Sequence, residues 1–210
     1  MPDPQELIAQ SYDAIAERYL QWTSGSQVRR RYLNTLISLL PAGGNFLDLG
    51  CGAGTPVTEE LAQCGHVIGV DISEQQLIQA KKNVPNAAFL RADMAALEFP
   101  LDTFDVVTSF YAVTHVPRNY HANLFHRIHG WLRKGGLFLA SLGAGDSPDV
   151  IVDDWLGAPM FFSHFDATVN RKLICDAGFK VIDEELVPEE NDDATFLWVL
   201  ARKSSELPEL

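Results

Sequence analysis

The order of apolar and polar positions along the chain predicts two helices at its beginning. From Pro4 to about Leu40, apolar residues recur at helical spacing, and Ser24-Gly25-Ser26 separates the two periodic stretches. Pro41-Ala42-Gly43-Gly44 should end the second helix, because proline disfavours helical geometry in the preceding residue and glycine permits left-handed turns. We therefore expect residues 1–40 to form a helical cap ahead of the first strand.

Beyond this cap, short apolar stretches alternate with helical ones, which indicates a parallel sheet wrapped by helices. The predicted strands are 45–49, 66–70, 88–91, 104–110 and 137–142, and the predicted helices are 56–64, 74–83 and 119–133. A further helix should end at Gly178.

The end of the chain adds two strands, 180–187 and 195–202, joined by a short link. The link is too short for a right-handed crossover, so these strands should pair antiparallel. The predicted fold class is α/β: a three-layer sandwich with a mainly parallel seven-stranded sheet, a C-terminal antiparallel hairpin and helices on both faces. Residues 204–210 are expected to fray.

Length and charge limit the kinds of partner. A chain of 210 residues fits a single domain, 1–210, and its formal net charge of -12 disfavours nucleic acid and anionic membranes as partners. The densest basic run, Arg29-Arg30-Arg31, is interpreted as a solvated helix face without a functional role.

The cysteines and the start of the chain indicate a compartment. Cys51, Cys64 and Cys175 are an odd number without paired spacing, which is typical of a reducing environment. The first residues lack a basic segment followed by an apolar run, and no run of 18 apolar residues occurs. We expect a soluble, cytoplasmic protein.

FLDLGCGAGTPVTEEL, residues 46–61, places an acid at the end of the first strand and three glycines before a helix. Gly50, Gly52 and Gly54 allow a sharp turn and close approach to a ligand, and the helix N-terminus supplies donors. A dinucleotide fingerprint would have its third glycine at position 55, which is Thr55. Asp48 instead offers a carboxylate to a ligand that bears an ammonium group.

Two more acids follow the second and third strands. Asp71, with Ile72 after it, can accept both hydroxyls of a ribose, or it can cap the next helix, a role open also to Ser73. Asp93 can accept from an exocyclic amine, and Met94 can lie against an aromatic base. Acids at successive strand ends should face one crevice, where open α/β sheets bind ligands.

With DLGCGAG and these acids in place, the chain resembles the class I (Rossmann-like) S-adenosylmethionine-dependent methyltransferases of the small-molecule type, from about Tyr12 to Arg202. The resemblance implies that Asp48 contacts the methionine part of the cofactor, that Asp71 holds the ribose, and that Asp93 with its neighbour reads the adenine. The implied cofactor residues are Tyr12, Tyr19, Asp48, Gly50, Gly52, Gly54, Asp71, Ile72, Asp93, Met94, Phe110 and Tyr111.

The resemblance also suggests how the methyl end of the cofactor is bordered. YDAIAERY, residues 12–19, resembles a helix that closes over the cofactor, although Tyr12 and Tyr19 could equally be helix core. By the same resemblance the backbone around Phe110 approaches the methionine group, and Tyr111 and His115 border the transferred methyl. His115 could instead be a structural histidine held between strand and helix.

Residues 143–167 form a connection long enough to be a substrate lid or binding loop, or to pack onto the body. Within it His164 is a second candidate base, and Asp166 is spaced to orient it. The same segment contains carboxylates, which are ligands that Mg²⁺ prefers. No Asp-Asp or Asp-Asn pair lies at the end of the fourth strand, however, so we predict no metal.

The expected function is methyl transfer from S-adenosyl-L-methionine to a small-molecule acceptor, yielding S-adenosyl-L-homocysteine, with His115 or His164 as the base. Two alternatives stay open: a non-catalytic binder of the same cofactor on this fold, and an NAD-dependent oxidoreductase, which Thr55, Asp48 and the terminal hairpin oppose. The acceptor is not identified by the sequence, and a monomer or a homodimer fits equally.

Overall fold

The computed structural model describes residues 3–190 and 193–204; residues 205–210, most of the tail expected to fray, lie outside this part. The helices of the described chain are α1 (Pro4–Thr23), α2 (Gln27–Ile37), α3 (Val57–Cys64), α4 (Glu74–Asn83), α5 (His121–Trp131) and α6 (Ala167–Asp176). Its strands are β1 (Gly44–Leu49), β2 (Gly65–Asp71), β3 (Ala88–Arg91), β4 (Phe104–Ser109), β5 (Leu132–Gly143), β6 (Ser147–Trp155), β7 (Ala158–His164), β8 (Phe179–Pro188) and β9 (Thr195–Lys203). None of these helices is long and apolar enough to cross a bilayer.

The main sheet has the predicted composition. Within the described residues seven strands form one sheet in the order β3-β2-β1-β4-β5-β9-β8. The first five of these strands run parallel, and β9 pairs antiparallel with both β5 and β8. The predicted seven-stranded, mainly parallel sheet with its terminal antiparallel hairpin is therefore confirmed.

Helices cover both faces of this sheet. Neighbouring residues of one strand point to opposite faces, so each strand contributes to two hydrophobic cores. Phe46 belongs to the core under α2 and α3, whereas Leu47 belongs to the core under α5 and α6. Val106 and Val107 divide between the same two cores. The sandwich thus has three layers, as predicted, and the carboxyl ends of its central strands are left open for a site.

The segment 143–167 differs from an irregular connection, because β6 and β7 pair as an antiparallel hairpin. Leu156 and Gly157 both have positive φ, 54° and 90°, which is the geometry of a tight two-residue hairpin turn. Ala158 and Met160 of β7 pack against Ile15 of α1. The hairpin and α1 therefore support each other over the open end of the sheet.

Polar contacts fix α1 in this position. Ser11 donates its hydroxyl to the carbonyl of Pro159 at 2.5 Å, and Arg18 donates to the carbonyl of Leu156. On the other side, the Asp13 carboxylate accepts from the Ser73 hydroxyl at 2.6 Å. The N-terminal cap therefore bridges the β6–β7 hairpin and the start of α4, across the mouth of the site.

Candidate active site

A cleft opens at the carboxyl ends of the central parallel strands. These strand ends, at β1 and its neighbours β2 and β4, are where a doubly wound sheet offers its ligand crevice. Most of the predicted cofactor residues line it: Tyr12, Tyr19, Gly50, Gly52, Asp71, Ile72, Asp93, Met94, Phe110 and Tyr111.

Asp71 is held at the end of β2 by backbone donors. The N–H groups of Gly52 and Ser73 donate to its two carboxylate oxygens at 2.8 and 2.9 Å. Burial raises the pKa of Asp71 to about 6. Ser73 is the residue that caps α4, since its hydroxyl accepts from the N–H of Gln76. The carboxylate of Asp71 is therefore not needed as the helix cap, and its remaining lone pairs are available to a ligand in the cleft.

Gln76, in the first turn of α4, is a site residue that sequence reasoning missed. Its side chain is 1% exposed and lines the cleft, yet neither its amide nitrogen nor its amide oxygen finds a hydrogen-bond partner among the described residues. A buried polar group without a partner costs about 1 to 3 kcal/mol. The amide is therefore suited to a ligand hydroxyl beside Asp71.

Asp48 lies deeper, at a side chamber of the cleft. Its carboxylate accepts from the hydroxyls of Thr58 at 2.6 Å and Thr108 at 2.8 Å, and burial raises its pKa to about 6. The chamber is also lined by Tyr19 and Arg29. It thus presents one carboxylate and one guanidinium, a combination that complements a ligand carrying both an ammonium and a carboxylate group.

The interpretation of residues 29–31 as a solvated face was wrong for Arg29. Its guanidinium is buried, stands 4.4 Å from the centre of the Tyr111 ring and donates to the Tyr19 hydroxyl at 3.3 Å. Ser26 caps α2 and so fixes which side of the helix faces inward. Arg31, by contrast, forms an exposed ion pair with Glu185.

The glycines of the loop after β1 have different surroundings. Gly50 has φ +72°, and a Cβ built on it would overlap the Cβ of Ala112, so only glycine fits this point of the cleft. Gly54 packs instead against α4, with a built Cβ 3.1 Å from Val84 and 3.4 Å from Ala80. Its position supports helix packing, and the expectation that it contacts a cofactor finds no support there.

Asp93 sits at the far end of the cleft, after β3. Its carboxylate accepts from the N–H of Ala95 at 2.8 Å, and burial raises its pKa above the ordinary value. Met94 lines the same wall. This end offers an acceptor beside an apolar side chain, as a purine would require.

His115 has a fixed tautomer. Its Nδ1 lies 2.8 Å from the carbonyl oxygen of Phe161, and a carbonyl only accepts, so Nδ1 carries the proton. The bare Nε2 then accepts from the Tyr12 hydroxyl at 2.8 Å. Burial lowers the pKa of His115 to about 4, so the ring is neutral at pH 7.

A second and larger cavity of about 580 Å³ adjoins the cleft. The two share Tyr12, Tyr19, Tyr111 and His115. The walls of the second cavity come from α1, from the β6–β7 hairpin and from the β8–β9 hairpin. The arrangement is therefore a cleft for one ligand and a cavity for another, joined at four side chains.

His164 lines the second cavity, away from the cleft. Its Nδ1 donates to the carbonyl of Gly145 at 2.7 Å, which leaves Nε2 as the acceptor nitrogen. The suggestion that Asp166 orients this ring was wrong, because Asp166 caps α6 by accepting from the N–H of Val169 at 2.9 Å.

Two of the acids in residues 143–167 have partners within the protein. Asp146 pairs with Arg118 at 2.7 Å, and Asp149 accepts from the Ser163 hydroxyl at 2.7 Å. Across residues 3–190 and 193–204, no group of three or more histidine, cysteine or acidic side chains is placed to hold a metal ion.

Comparison with known proteins identifies the fold and the core domain. The family described as a methyltransferase domain matches residues 46–136. A solved S-adenosylmethionine-dependent methyltransferase from Mesorhizobium loti is 25% identical, with a TM-score of 0.64 over 80% of this chain and 96% of that one. The solved cyclase SpnF is 16% identical, with a TM-score of 0.76 over 98% of both chains, and its likeness concerns the fold alone.

Among curated proteins, the 27-O-demethylrifamycin SV methyltransferase of Amycolatopsis mediterranei is 32% identical over an alignment of 143 positions, which covers 57% of this chain and 52% of that protein. The chain spans about half to three fifths of the length of three of its curated relatives, and 29% of the length of another. The matched domain, the strand order and the residues at the strand ends agree with one another: residues 46–136 match a methyltransferase domain, and the chain has the class I, Rossmann-like fold of S-adenosylmethionine-dependent methyltransferases.

Proposed function

We propose that the protein transfers a methyl group from S-adenosyl-L-methionine to a small molecule bound in the second cavity. The observation that carries this proposal is the junction of the two spaces. Tyr12, Tyr19, Tyr111 and His115 border both the cleft at the strand ends and the larger cavity beside it. A cofactor in the cleft would therefore present its reactive end to a ligand held in the cavity.

The cleft fits the parts of this cofactor from one end to the other. Asp93 and Met94 suit the adenine, and Asp71 with the unpartnered amide of Gln76 suits the two ribose hydroxyls. In the side chamber, Asp48 suits the ammonium of the methionine part, and we assign its carboxylate to Arg29.

The cofactor, when bound, supplies a sulfonium whose methyl carbon is open to attack by an acceptor lone pair. The protein's task is then to align the acceptor, to exclude water and to take up a proton where the acceptor releases one. Tyr12 and Tyr111 would confine the methyl end.

The two candidate bases differ in what their rings can do. The Nε2 of His115 already accepts from Tyr12, and its pKa of about 4 makes it a weak base at neutral pH. We therefore assign His115 the positioning of Tyr12. His164 is the better candidate base, because its Nδ1 donor bond leaves Nε2 as an acceptor on a ring that lines the cavity.

Histidine-to-asparagine variants separate these roles once an acceptor is found. His164→Asn should lower kcat and flatten the pH profile of kcat. His115→Asn should mainly raise KM and should change the pH profile of kcat little. Full turnover with the same pH profile in His164→Asn would remove it from the mechanism.

The cofactor assignment is tested by calorimetric titration of S-adenosylmethionine, S-adenosylhomocysteine and NAD. Asp71→Asn removes the charge of the ribose contact, and Asp183→Asn makes the same change at an exposed position of β8. We expect micromolar binding of both adenosyl compounds that Asp71→Asn weakens at least tenfold and Asp183→Asn leaves intact. Binding of NAD alone, or of none of the three, contradicts the assignment.

Turnover is tested by incubating the protein and S-adenosylmethionine with a metabolite extract and measuring S-adenosylhomocysteine by mass spectrometry. Formation that depends on both extract and protein supports methyl transfer. Tight cofactor binding without product from any extract would favour the alternative of a non-catalytic binder. That alternative has a structural parallel, since the fold is shared with a protein described as a cyclase.

The net charge and the cysteines bear on where the protein acts and on which class of acceptor it binds. Cys51, Cys64 and Cys175 all lie in the described part of the chain and are free thiols, which supports a reducing, cytoplasmic location. The net charge of -12 supports a small-molecule acceptor over nucleic acid or an anionic membrane.

A further inference from the structure

The wall of the second cavity contains a cluster of aromatic side chains. Trp155 of β6 lies with its ring centre 5.8 Å from those of Tyr19 and Trp22 of α1, and 5.9 Å from that of Phe162 of β7. Its aromatic lining residues are Tyr12, Tyr19, Trp22, Tyr111, Trp155, Phe162 and Phe196. Such a wall favours an acceptor with an apolar or ring-shaped body, and ring faces also attract cations.

The charged side chains that line this cavity have one sign, although the buried guanidinium of Arg29 lies behind Tyr111, 4.4 Å from the centre of its ring, and its charge reaches Glu189. Among the residues that the structure describes, no lysine or arginine lines it, and Glu189 is the acidic residue that does. The whole chain carries a formal charge of -12. A carboxylate or phosphate group on the acceptor would therefore meet repulsion without a cation to bind it.

Glu189 is held in place at the end of β8. Its N–H donates to the carbonyl of Ala194 at 2.8 Å, and the next residue, Glu190, accepts from the N–H of Gln27 at 3.0 Å, which ties this hairpin to α2. The Oε1 of Glu189 accepts from the N–H of Glu190 at 3.0 Å. Its Oε2 is buried and finds no hydrogen-bond partner in the described part of the chain.

We propose that the acceptor is a hydrophobic amine, and that its protonated nitrogen binds Glu189 while its apolar body lies against the aromatic wall. This inference rests on the methyl transfer proposed above, and it names the acceptor's chemical class. An ammonium group can donate a hydrogen bond to the buried Oε2 and pair with the carboxylate from the cavity side, where no lysine or arginine lines the wall in the described part of the chain. The cavity, at about 580 Å³, has room for a body larger than a single ring.

The same geometry separates the recognised nitrogen from the methylated atom. An ammonium held by a carboxylate has no free lone pair, so it cannot attack the methyl carbon while it is bound there. The methyl group would arrive from the cleft, at the junction marked by Tyr12 and His115. Glu189 is therefore a specificity residue, and the acceptor carries its nucleophilic atom elsewhere on the molecule.

Three naphthalene probes that differ in charge test this proposal. 1-Naphthylmethylamine, 1-naphthalenemethanol and 1-naphthoate are titrated at pH 7.5 into protein saturated with S-adenosylhomocysteine. We expect the amine to bind at least tenfold more tightly than the alcohol, and the naphthoate to bind most weakly. Equal binding of the amine and the alcohol, or tighter binding of the naphthoate, would overturn the proposal.

Glu189→Gln should abolish the advantage of the amine over the alcohol and leave the affinity of the alcohol unchanged. Glu17→Gln makes the same change at an exposed position of α1 and should alter neither. An amine advantage that survives in Glu189→Gln contradicts the role of this residue. If the variant does not fold, the three probes on the wild-type protein still decide.

Failure of this inference is distinguishable from failure of the proposed function. The affinity for S-adenosylhomocysteine, measured first and without any probe, tests the cofactor assignment. A protein that binds the cofactor product but shows no preference for the amine retains methyl transfer and loses only the amine acceptor.

Discussion

Gly50→Ala should destabilise the protein far more than Gly52→Ala, although both glycines lie in the same loop with positive φ. At Gly50, φ is +72° and a Cβ would overlap the Cβ of Ala112; at Gly52, φ is +53° and the nearest atom to a Cβ, the Oε1 of Gln76, is 3.7 Å away. The first substitution therefore adds strain and overlap, and the second adds strain alone.

The expected magnitudes follow from these two terms. A left-handed conformation costs a residue with a Cβ about 1 to 2 kcal/mol, which applies to both variants. Overpacking against a neighbour that cannot rotate away adds about 1 to 3 kcal/mol, which applies to Gly50 alone. Each kcal/mol lowers the melting temperature of a chain of this size by roughly 2 to 4 °C.

The assay is urea unfolding followed by tryptophan fluorescence, with Ala112→Gly as the matched rescue. Removing the Cβ of Ala112 alone should cost about 0.5 to 1 kcal/mol in backbone freedom. In the Gly50→Ala background it should instead restore about 1 to 3 kcal/mol, because the overlapping atom is gone. Equal losses for the two glycine variants, or additive effects of Gly50→Ala and Ala112→Gly, would refute the reasoning.

Three further predictions concern the site. The affinity for S-adenosylmethionine, measured by calorimetry, should fall as the pH drops from 7 to 5, because burial raises the pKa of Asp48 and Asp71 to about 6. Protonation of each carboxylate should weaken cofactor binding by up to about tenfold per pH unit. A constant affinity would count against both contacts. Arg29→Met should weaken S-adenosylhomocysteine binding by about 10- to 100-fold and spare methylthioadenosine, which lacks the amino-acid part; equal losses would contradict a carboxylate contact. Tyr12→Phe should cost about 1 kcal/mol in urea unfolding and raise the pKa of His115 from about 4, because the neutral ring loses a donor to Nε2; an unchanged histidine titration by NMR would exclude that bond.

The cofactor side of the site could be predicted from sequence because parallel strands place their carboxyl ends at one edge. Asp71 and Asp93 each follow a short apolar strand, so the strand pattern alone brings them to the same crevice. Gly50 was recognisable from its spacing after Asp48. The register of the strands fixes the positions of all these residues, and the hydrophobic pattern of the sequence predicts that register.

Gln76 and Arg29 escaped prediction for a different reason. A polar residue in a helix is usually solvated, and whether it faces inward depends on how the helix packs. For α4 that rotation is set by Leu77 and Ala80, which are buried, and it turns Gln76 toward the cleft. Glutamine in the first helical turn after a strand-end acid is the signal that could have found it.

The β6–β7 hairpin was hidden by its turn. Two-residue hairpin turns with positive φ at both positions favour Asn-Gly or Asp-Gly, and here the pair is Leu156-Gly157. The strands are also irregular, with one register shift between Ser147 and Val150 and another between Val152 and Trp155. Their stability comes from contact with Ile15 of α1, over 130 residues away in sequence, which no local pattern reports.

The two halves of the site therefore have different physical origins, which bears on how each can change. The cleft is built from strand ends whose positions the whole sheet enforces, so a substitution such as Gly50→Ala affects folding as well as binding. The second cavity is built from α1 and two hairpins, and its distinctive groups, Trp155 and Glu189, lie away from the parallel core. The two halves share Tyr12, Tyr19, Tyr111 and His115. Substitutions in the cavity wall that contact none of these four side chains should combine additively with substitutions in the cleft, whereas those at contacting residues such as Trp155 should be coupled to them. Acceptor preference can then diverge on this framework while cofactor binding is kept, since the groups that would select the acceptor are those the sheet does not constrain.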